Sequence, residues 1–365
     1  MSMIFSSQVT NQRKGTLMVM AGGTGGHVYP AMAVADYLQS LGWRIVWLCT
    51  EGGMENRLIE GKAYAKAVIA MRGVRGKGLI GWVLLPFKLL IAFKQSFSAI
   101  RKFKPNVVLG MGGFAAFPGG VMAKLLGKRL VIHEQNSIAG LTNKILKIFA
   151  NKILVAFPNA LVKSVLVGNP VRKEITQCLP PKVRYEARSG KLKLFVMGGS
   201  LGSAALNDVL PKALATLPEN KRFEVIHQAG EKHIDALKGN YNASAVEVDA
   251  RAYIQNMAEM YSWADIVICR AGALTVAELA CVGVASVLVP FPYAVDDHQT
   301  YNAKYLSEHG AAMLIQQSEF DVAKASEILL NLTREICLEM AIKARDLGKP
   351  DATEAVAQIC MELAN

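Results

Sequence analysis

Short, wholly apolar runs recur along the chain and alternate with stretches whose apolar positions return every three or four residues. Runs of the first kind predict buried strands and stretches of the second kind predict amphipathic helices. Their regular alternation predicts parallel sheets covered by helices on both faces, an α/β class. Strands are expected at 15–20, 44–50, 106–109 and 130–133, then at 192–197, 223–227, 245–248, 266–269 and 284–289. Helices are expected at 31–41, 118–126, 204–217, 257–263, from Leu274 onward, and at 302–309, 322–332 and 352–363, with a weaker helix-to-strand passage over 61–71. Residues 173–190 are charged, contain proline and lack periodicity, which predicts a linker between a first domain, 15–172, and a second, 191–350. Residues 351–365 then form a closing helix placed to pack back on the first domain.

The turns that close the strands carry the chemistry. The expected strand 15–20 runs into Ala21-Gly-Gly-Thr-Gly-Gly-His27, and 106–109 into Gly110-Met-Gly-Gly-Phe114. Strand 192–197 leads to Gly198-Gly-Ser-Leu-Gly202, and 266–269 to the small-residue turn Arg270–Ala273. Glycine permits close approach of backbone to ligand, and the unpaired amides of a following helix, backed by its dipole, seat a phosphate or pyrophosphate. Glu278 lies about one turn beyond Leu274, within reach of sugar hydroxyls held beside such a phosphate. The spacing is neither the GxGxxG of dinucleotide binders nor the GK[ST] of a P-loop, so a NAD(P)-linked oxidoreductase is disfavoured. Two domains built alike imply a cleft between them in which two substrates meet.

Charge changes the picture in one region. Residues 1–165 carry 21 Lys and Arg against 5 Asp and Glu, whereas 166–365 carry 20 against 24. With no zinc-finger spacing and no Arg-rich tract, the basic half points away from nucleic acid and toward an acidic ligand or an anionic membrane. The stretch 72–93 gathers Arg72, Arg75, Lys77, Leu79, Trp82, Phe87 and Lys88, and its apolar part is too short to span a bilayer. It reads either as an amphipathic helix lying at the membrane interface or as a buried core helix followed by a basic turn. The six cysteines are scattered with no CxxC pair, as expected of reduced structural thiols, and the first fourteen residues lack the apolar core of a signal peptide.

Gly22-Gly-Thr-Gly-Gly-His27, Gly110–Phe114, His133-Glu-Gln-Asn136, Gly168-Asn-Pro-Val-Arg172, Gly198-Gly-Ser200, Cys269–Thr275 and Asp296-Asp-His-Gln299, in this order, resemble the MurG family. These bacterial transferases add N-acetylglucosamine to undecaprenyl-pyrophosphoryl-MurNAc-pentapeptide and have the two-domain GT-B fold, two Rossmann-like parallel-sheet domains facing a central cleft. The resemblance implies that the second domain holds the donor, UDP-N-acetylglucosamine, and the first the lipid acceptor (lipid I). The implied donor-binding residues are Thr24, Gly25, Arg172, Ser200, the backbone at Ile254, Leu274, Thr275, Glu278, His298 and Gln299. The implied acceptor-binding residues are Thr24, His27, Phe114 and Asn136. It also implies docking of 72–93 on anionic lipids at the cytoplasmic face of the inner membrane, and leaves room for partners in a cell-wall synthesis complex. Phe114 stands where a Tyr is often found, and the turn after Ser200 lacks the family's usual Gln-Gly start and Arg.

For the chemistry, His27 is the first candidate to remove the acceptor's proton, because imidazole titrates near neutrality; the alternative is that it positions the acceptor pyrophosphate. Glu134 is the weaker candidate base, against a role in orienting its own turn. Without an Asp-x-Asp motif or clustered carboxylates, no cofactor or metal site is indicated, although Mg²⁺ remains compatible. The nearest competing reading is another GT-B transferase acting on a membrane glycolipid; a non-enzymatic nucleotide-sugar-binding scaffold is disfavoured, since donor and acceptor motifs are both present.

Overall fold

The computed structural model describes residues 14–71, 85–199 and 202–365. Its first sheet contains β1 (Thr16–Met20), β2 (Arg44–Thr50), β3 (Ala65–Ile69), β4 (Val107–Gly110), β5 (Arg129–Glu134), β6 (Lys152–Val155) and β7 (Val165–Leu166), in the order β3-β2-β1-β4-β5-β6-β7. The second contains β8 (Lys193–Met197), β9 (Glu224–Gln228), β10 (Asp249–Arg251), β11 (Ile266–Cys269), β12 (Ala285–Leu288) and β13 (Met313–Leu314), in the order β10-β9-β8-β11-β12-β13. Every pairing is parallel. The central strands are apolar throughout because helices cover both faces: Leu17, Val19 and Val107 pack on one side of the first sheet, Met18, Met20 and Val108 on the other.

In each sheet the strand order reverses direction once, beside β1 and β4 in the first and beside β8 and β11 in the second. Open α/β sheets bind ligands at the carboxyl ends of the strands flanking such a switch. All four turns singled out by their small residues, after β1, β4, β8 and β11, follow these four strands.

The helices are α1 (Gly25–Ser40), α2 (Met54–Leu58), α3 (Leu85–Phe103), α4 (Ala116–Leu125), α5 (Leu141–Leu146), α6 (Lys173–Thr176), α7 (Pro181–Glu186), α8 (Ala204–Ala215), α9 (Ile234–Ala243), α10 (Met257–Trp263), α11 (Ala273–Val282), α12 (His298–Ser307), α13 (Val322–Asn331), α14 (Arg334–Leu347) and α15 (Ala352–Ala364). Helix α15 packs against α1, burying Val356, Ala357 and Cys360 in the first domain's core.

Several expectations are corrected. Helix α1 begins at Gly25, not Ala31, so the glycines after Thr24 and Pro30 lie inside it. Residues 245–248 are not a strand: Ala245 takes φ +53° and its amide bonds the Asn242 carbonyl, closing α9, and the short edge strand β10 follows at Asp249. Helix α12 starts at His298, four residues ahead of the expected start. Residues 173–190 are not irregular either. They include α6 and α7, and Arg184 is buried with its guanidinium donating to the carbonyls of Leu179, Tyr261, Val282 and Gly283.

Candidate active site

On the first domain, β1 ends in the turn Ala21–Thr24 and α1 starts with no acidic residue in its first turn, leaving its leading amides directed at the cleft. His27 sits in that first turn, half-buried. Its Nδ1 lies 3.2 Å from the Gly22 carbonyl oxygen and 3.2 Å from Thr24 Oγ1. Donation from Nδ1 to the carbonyl leaves Nε2 as the free, basic nitrogen. Burial lowers the His27 pKa below 6.5, with Glu134 and the Gly22 bond pulling the other way and His298 adding to the lowering. The imidazole is therefore held neutral near pH 7.

The turn after β4 closes on this one. Gly112 and Gly113 have φ of +92° and +85°. A Cβ on Gly112 would lie 3.0 Å from His27 Nε2, and one on Gly113 would lie 2.8 Å from the Gly22 carbonyl carbon and closer still to its oxygen. Only glycine lets the two turns touch. Phe114 follows, partly exposed on the same rim.

Glu134, at the end of β5, is buried and fully occupied. Oε1 accepts from the Asn136 amide at 3.0 Å and Asn136 Nδ2 at 3.4 Å, and Oε2 from the Gly140 amide at 3.1 Å and Asn143 Nδ2 at 2.9 Å. With four donors on its two oxygens it orients its turn, and this geometry favours that role over proton removal. His133 is buried beneath, between the Gly168 carbonyl at 2.9 Å and Gln135 Nε2 at 3.1 Å, and desolvation lowers its pKa to about 4.

On the second domain, β11 leads through Arg270–Gly272 into α11, whose amides at 273–275 have no side-chain cap and no acidic neighbour in the first turn. Leu274 and Thr275 stand half-buried there. Glu278, one turn on, is buried; Oε1 pairs with Arg172 Nη2 at 3.1 Å and Oε2 accepts from Tyr261 Oη at 3.0 Å. Burial raises the Glu278 carboxyl above the ordinary range, against the pull of Arg172 and of the Tyr261 hydroxyl. The Arg172 guanidinium lies 5.9 Å from the Tyr29 ring centroid, so a residue of α1 reaches the partner of Glu278. An open cavity of about 330 Å³ lies between Arg172, Glu174, Ile175 and residues 255–258, next to Ile254, whose side chain is buried. His298 and Gln299 form the first turn of α12: His298 Nδ1 donates to the Val295 carbonyl at 2.7 Å, and Gln299 Oε1 accepts from the Phe291 amide at 3.0 Å. Asp296 and Asp297, just before them, both hold φ above +50°.

Residues 17–155 match the glycosyltransferase family 28 N-terminal domain and 193–356 the family 28 C-terminal domain. The chain is 55% identical over 351 residues to a Nitrosospira multiformis protein named UDP-N-acetylglucosamine–N-acetylmuramyl-(pentapeptide) pyrophosphoryl-undecaprenol N-acetylglucosamine transferase, covering 95% of this chain and 98% of that one. It is 56% identical to the Azoarcus sp. protein of the same name, over 96% and 98% of the two chains. The crystal structure of Acinetobacter baumannii MurG superposes with a TM-score of 0.85 at 40% identity, over 95% of this chain and 99% of that one. The chain belongs to the MurG family.

In this MurG-family chain, the fold brings Thr24, Gly25, His27 and Phe114 onto the first-domain rim and Arg172, Leu274, Thr275 and Glu278 onto the second. Asn136 faces the boundary, its Oδ1 3.3 Å from Asn302 Nδ2. Ser200, Arg72, Arg75, Lys77, Leu79 and Trp82 lie outside the described residues. Phe87 and Lys88 lie at the start of α3, where Phe87, Leu90 and Ile91 are exposed while Ala92, Ser96, Ala99 and Ile100 face the core. Among the described residues, no helix is long and apolar enough to cross a membrane, and no three His, Cys, Asp or Glu side chains gather as metal ligands would. Sequence reasoning missed Tyr29, Tyr261, Asn143 and Asn302. For Tyr29 the available signal was its place two residues beyond His27; for Asn302, four residues beyond His298, one helical turn.

Proposed function

We propose that the cleft between the two switch points is the site at which this MurG-family enzyme transfers N-acetylglucosamine from UDP-N-acetylglucosamine to the C4 hydroxyl of MurNAc in undecaprenyl-pyrophosphoryl-MurNAc-pentapeptide, with inversion, giving lipid II. The observation that carries the site assignment is the convergence of four small-residue turns on one cleft, with a neutral imidazole on one wall and an uncapped helix start on the other. His27 Nε2 takes the proton of the attacking hydroxyl. Thr24, Gly25, Phe114 and Asn136 shape the acceptor side, while Glu134 holds the turn that carries Asn136. The departing UDP is stabilised by the amides of α11 at Leu274 and Thr275, with Ser200 on the diphosphate side and Arg172 near the donor. Glu278 takes the ribose hydroxyls, the Ile254 backbone the uracil, and His298 with Gln299 the sugar hydroxyls.

The stretch 72–93 supplies a peripheral contact with anionic lipid at the cytoplasmic face of the inner membrane; the exposed Phe87, Leu90 and Ile91 beside Lys88 support that reading. Replacing Arg75, Lys77 and Lys88 by Ala weakens binding to anionic liposomes more at low salt than at high salt, and unchanged partitioning would refute the docking.

The deciding assay follows radiolabelled N-acetylglucosamine from UDP-N-acetylglucosamine onto a soluble lipid I analogue, with and without EDTA. Transfer that persists in EDTA supports stabilisation of UDP by backbone amides. Donor binding without transfer would move the acceptor half to a different membrane glycolipid.

A further inference from the structure

Asn302 lies on α12 one turn beyond His298 and is fully buried. Its carboxamide is saturated. Oδ1 accepts from the Ser137 amide at 2.9 Å and Ser137 Oγ at 2.8 Å; Nδ2 donates to Asn136 Oδ1 at 3.3 Å and to the Ala271 carbonyl at 3.2 Å. Two acceptor sites and two donors are all that an amide side chain offers.

The partners come from two places. Asn136 and Ser137 belong to the turn after β5, in the first domain, and Ala271 to the turn that feeds α11, in the second. One side chain therefore joins the acceptor turn, the diphosphate turn and the helix whose first residues are His298 and Gln299. Burying a carboxamide between domains gains little stability over an aliphatic side chain of similar size, but its four directed bonds form in only one mutual placement of the three segments. Moreover, α12 is entered through Asp296 and Asp297, two consecutive non-glycine residues in the left-handed region, so its first turn is not held by relaxed local backbone. The His298–Val295 and Gln299–Phe291 bonds hold that turn locally, and the bonds at Asn302, one turn on, tie it to the first domain.

We infer that Asn302 is a positioning residue for transfer: through Ser137 and Asn136 it sets the end of α12 that holds the donor sugar in register with the acceptor turn. This rests on the acceptor and donor roles proposed above. It implies that loosening Asn302 harms the encounter of the two substrates far more than the binding of the nucleotide: Asn302 touches the diphosphate turn through one bond, to the Ala271 carbonyl, and the proposed contacts at Glu278 and Ile254 lie elsewhere.

The test compares wild type, Ser137→Ala, Asn302→Ala, Asn302→Asp and the Ser137→Ala/Asn302→Ala double variant. UDP binding is measured by calorimetry, and transfer is measured with the soluble lipid I analogue. The expected result is a UDP Kd within about twofold of wild type in every variant, a fall in kcat/KM for the acceptor of about threefold in Ser137→Ala and at least about tenfold in Asn302→Ala, and no further loss in the double variant, because Ser137 acts through Asn302. Asn302→Asp keeps the acceptor for Ser137 but sets a carboxylate against the Ala271 carbonyl, and is expected to fall with Asn302→Ala. Additive losses in the double variant, or UDP affinity falling in parallel with transfer, would overturn the inference. If Asn302→Ala does not fold, Ser137→Ala decides: wild-type transfer in that variant refutes the coupling. Wild-type activity on the analogue is the separate control on which the acceptor assignment itself stands.

Discussion

Replacing Gly113 by Ala tests whether the first-domain site depends on two turns touching. Two costs are separable in the structure. Gly113 has φ +85°, and placing an L-residue in the left-handed region costs about 1–2 kcal/mol. The added methyl also lies 2.8 Å from the Gly22 carbonyl carbon, backbone against backbone, where neither side yields by a change of rotamer. Overpacking of that kind adds about 1–3 kcal/mol. The sum, about 2–5 kcal/mol, corresponds to a loss of roughly 5–15 °C in the melting temperature of a domain this size. The overlap is relieved by moving the turn after β4 away from the turn that leads to His27, and a displacement of about 1 Å at reacting groups costs on the order of 100-fold in rate. Gly127→Ala is the matched control: its φ is +68°, yet nothing lies within 4 Å of its added methyl, so it bears the conformational cost of about 1–2 kcal/mol alone. Calorimetric melts and kcat on the soluble acceptor are measured for both. Gly113→Ala is expected to melt well below Gly127→Ala and to lose about 100-fold in kcat, while Gly127→Ala keeps the wild-type rate. Equal melting points and equal rates would show that contact between the turns does not govern the site.

The remaining predictions concern charge. Because the His27 pKa is lowered from 6.5, the neutral base persists into mild acid, and the acid limb of kcat/KM for the acceptor is expected below pH 6.5; a limb above it, or wild-type turnover by His27→Ala, would remove His27 as the base. Buried His133 and His227 stay neutral in the fold down to about pH 4 and 3, whereas both protonate near 6.5 once unfolded, so stability is full above pH 6.5 and is lost as pH falls through that window. At about 1.4 kcal/mol per pH unit over about two units for each histidine, the loss is on the order of 5 kcal/mol by urea titration at pH 7 and pH 4.5, and it is roughly halved in His227→Gln. Glu278→Gln removes the charge facing Arg172 and is expected to raise KM for UDP-N-acetylglucosamine about 10-fold or more with a smaller change in kcat, since hydrogen bonds to a carboxylate contribute about 1.5–3 kcal/mol. A fall in kcat alone would place Glu278 outside the donor's ground-state contacts.

How much of the fold and site was legible in the sequence depends on how local each signal is. Strand β2 and the short β11 stand where their apolar runs placed them, because a strand buried on both faces has no polar position to blur its ends. Residues 245–248 misled for the opposite reason: Ala245, Val246 and Val248 have strand composition, but the left-handed turn at Ala245 is set by how α9 ends, which apolar spacing does not record. Helix α14 carries a regular signal in buried Cys337, Met340, Ala341 and Ala344, yet its charged outer face hid the stripe. The glycine-rich turns after strands pointed to a crevice at a sheet edge, but which turns touch was not readable, since strand order is a property of the whole sheet; the order β2-β1-β4 brings the turns after β1 and β4 together. The same distinction separates Glu278 from Asn302. Glu278 lies a fixed helical turn from the uncapped start of α11, so spacing alone brought it to notice. Asn302 also lies one helical turn beyond His298, but its partners are 165, 166 and 31 residues away, and that spacing does not show a residue that makes two distant turns agree.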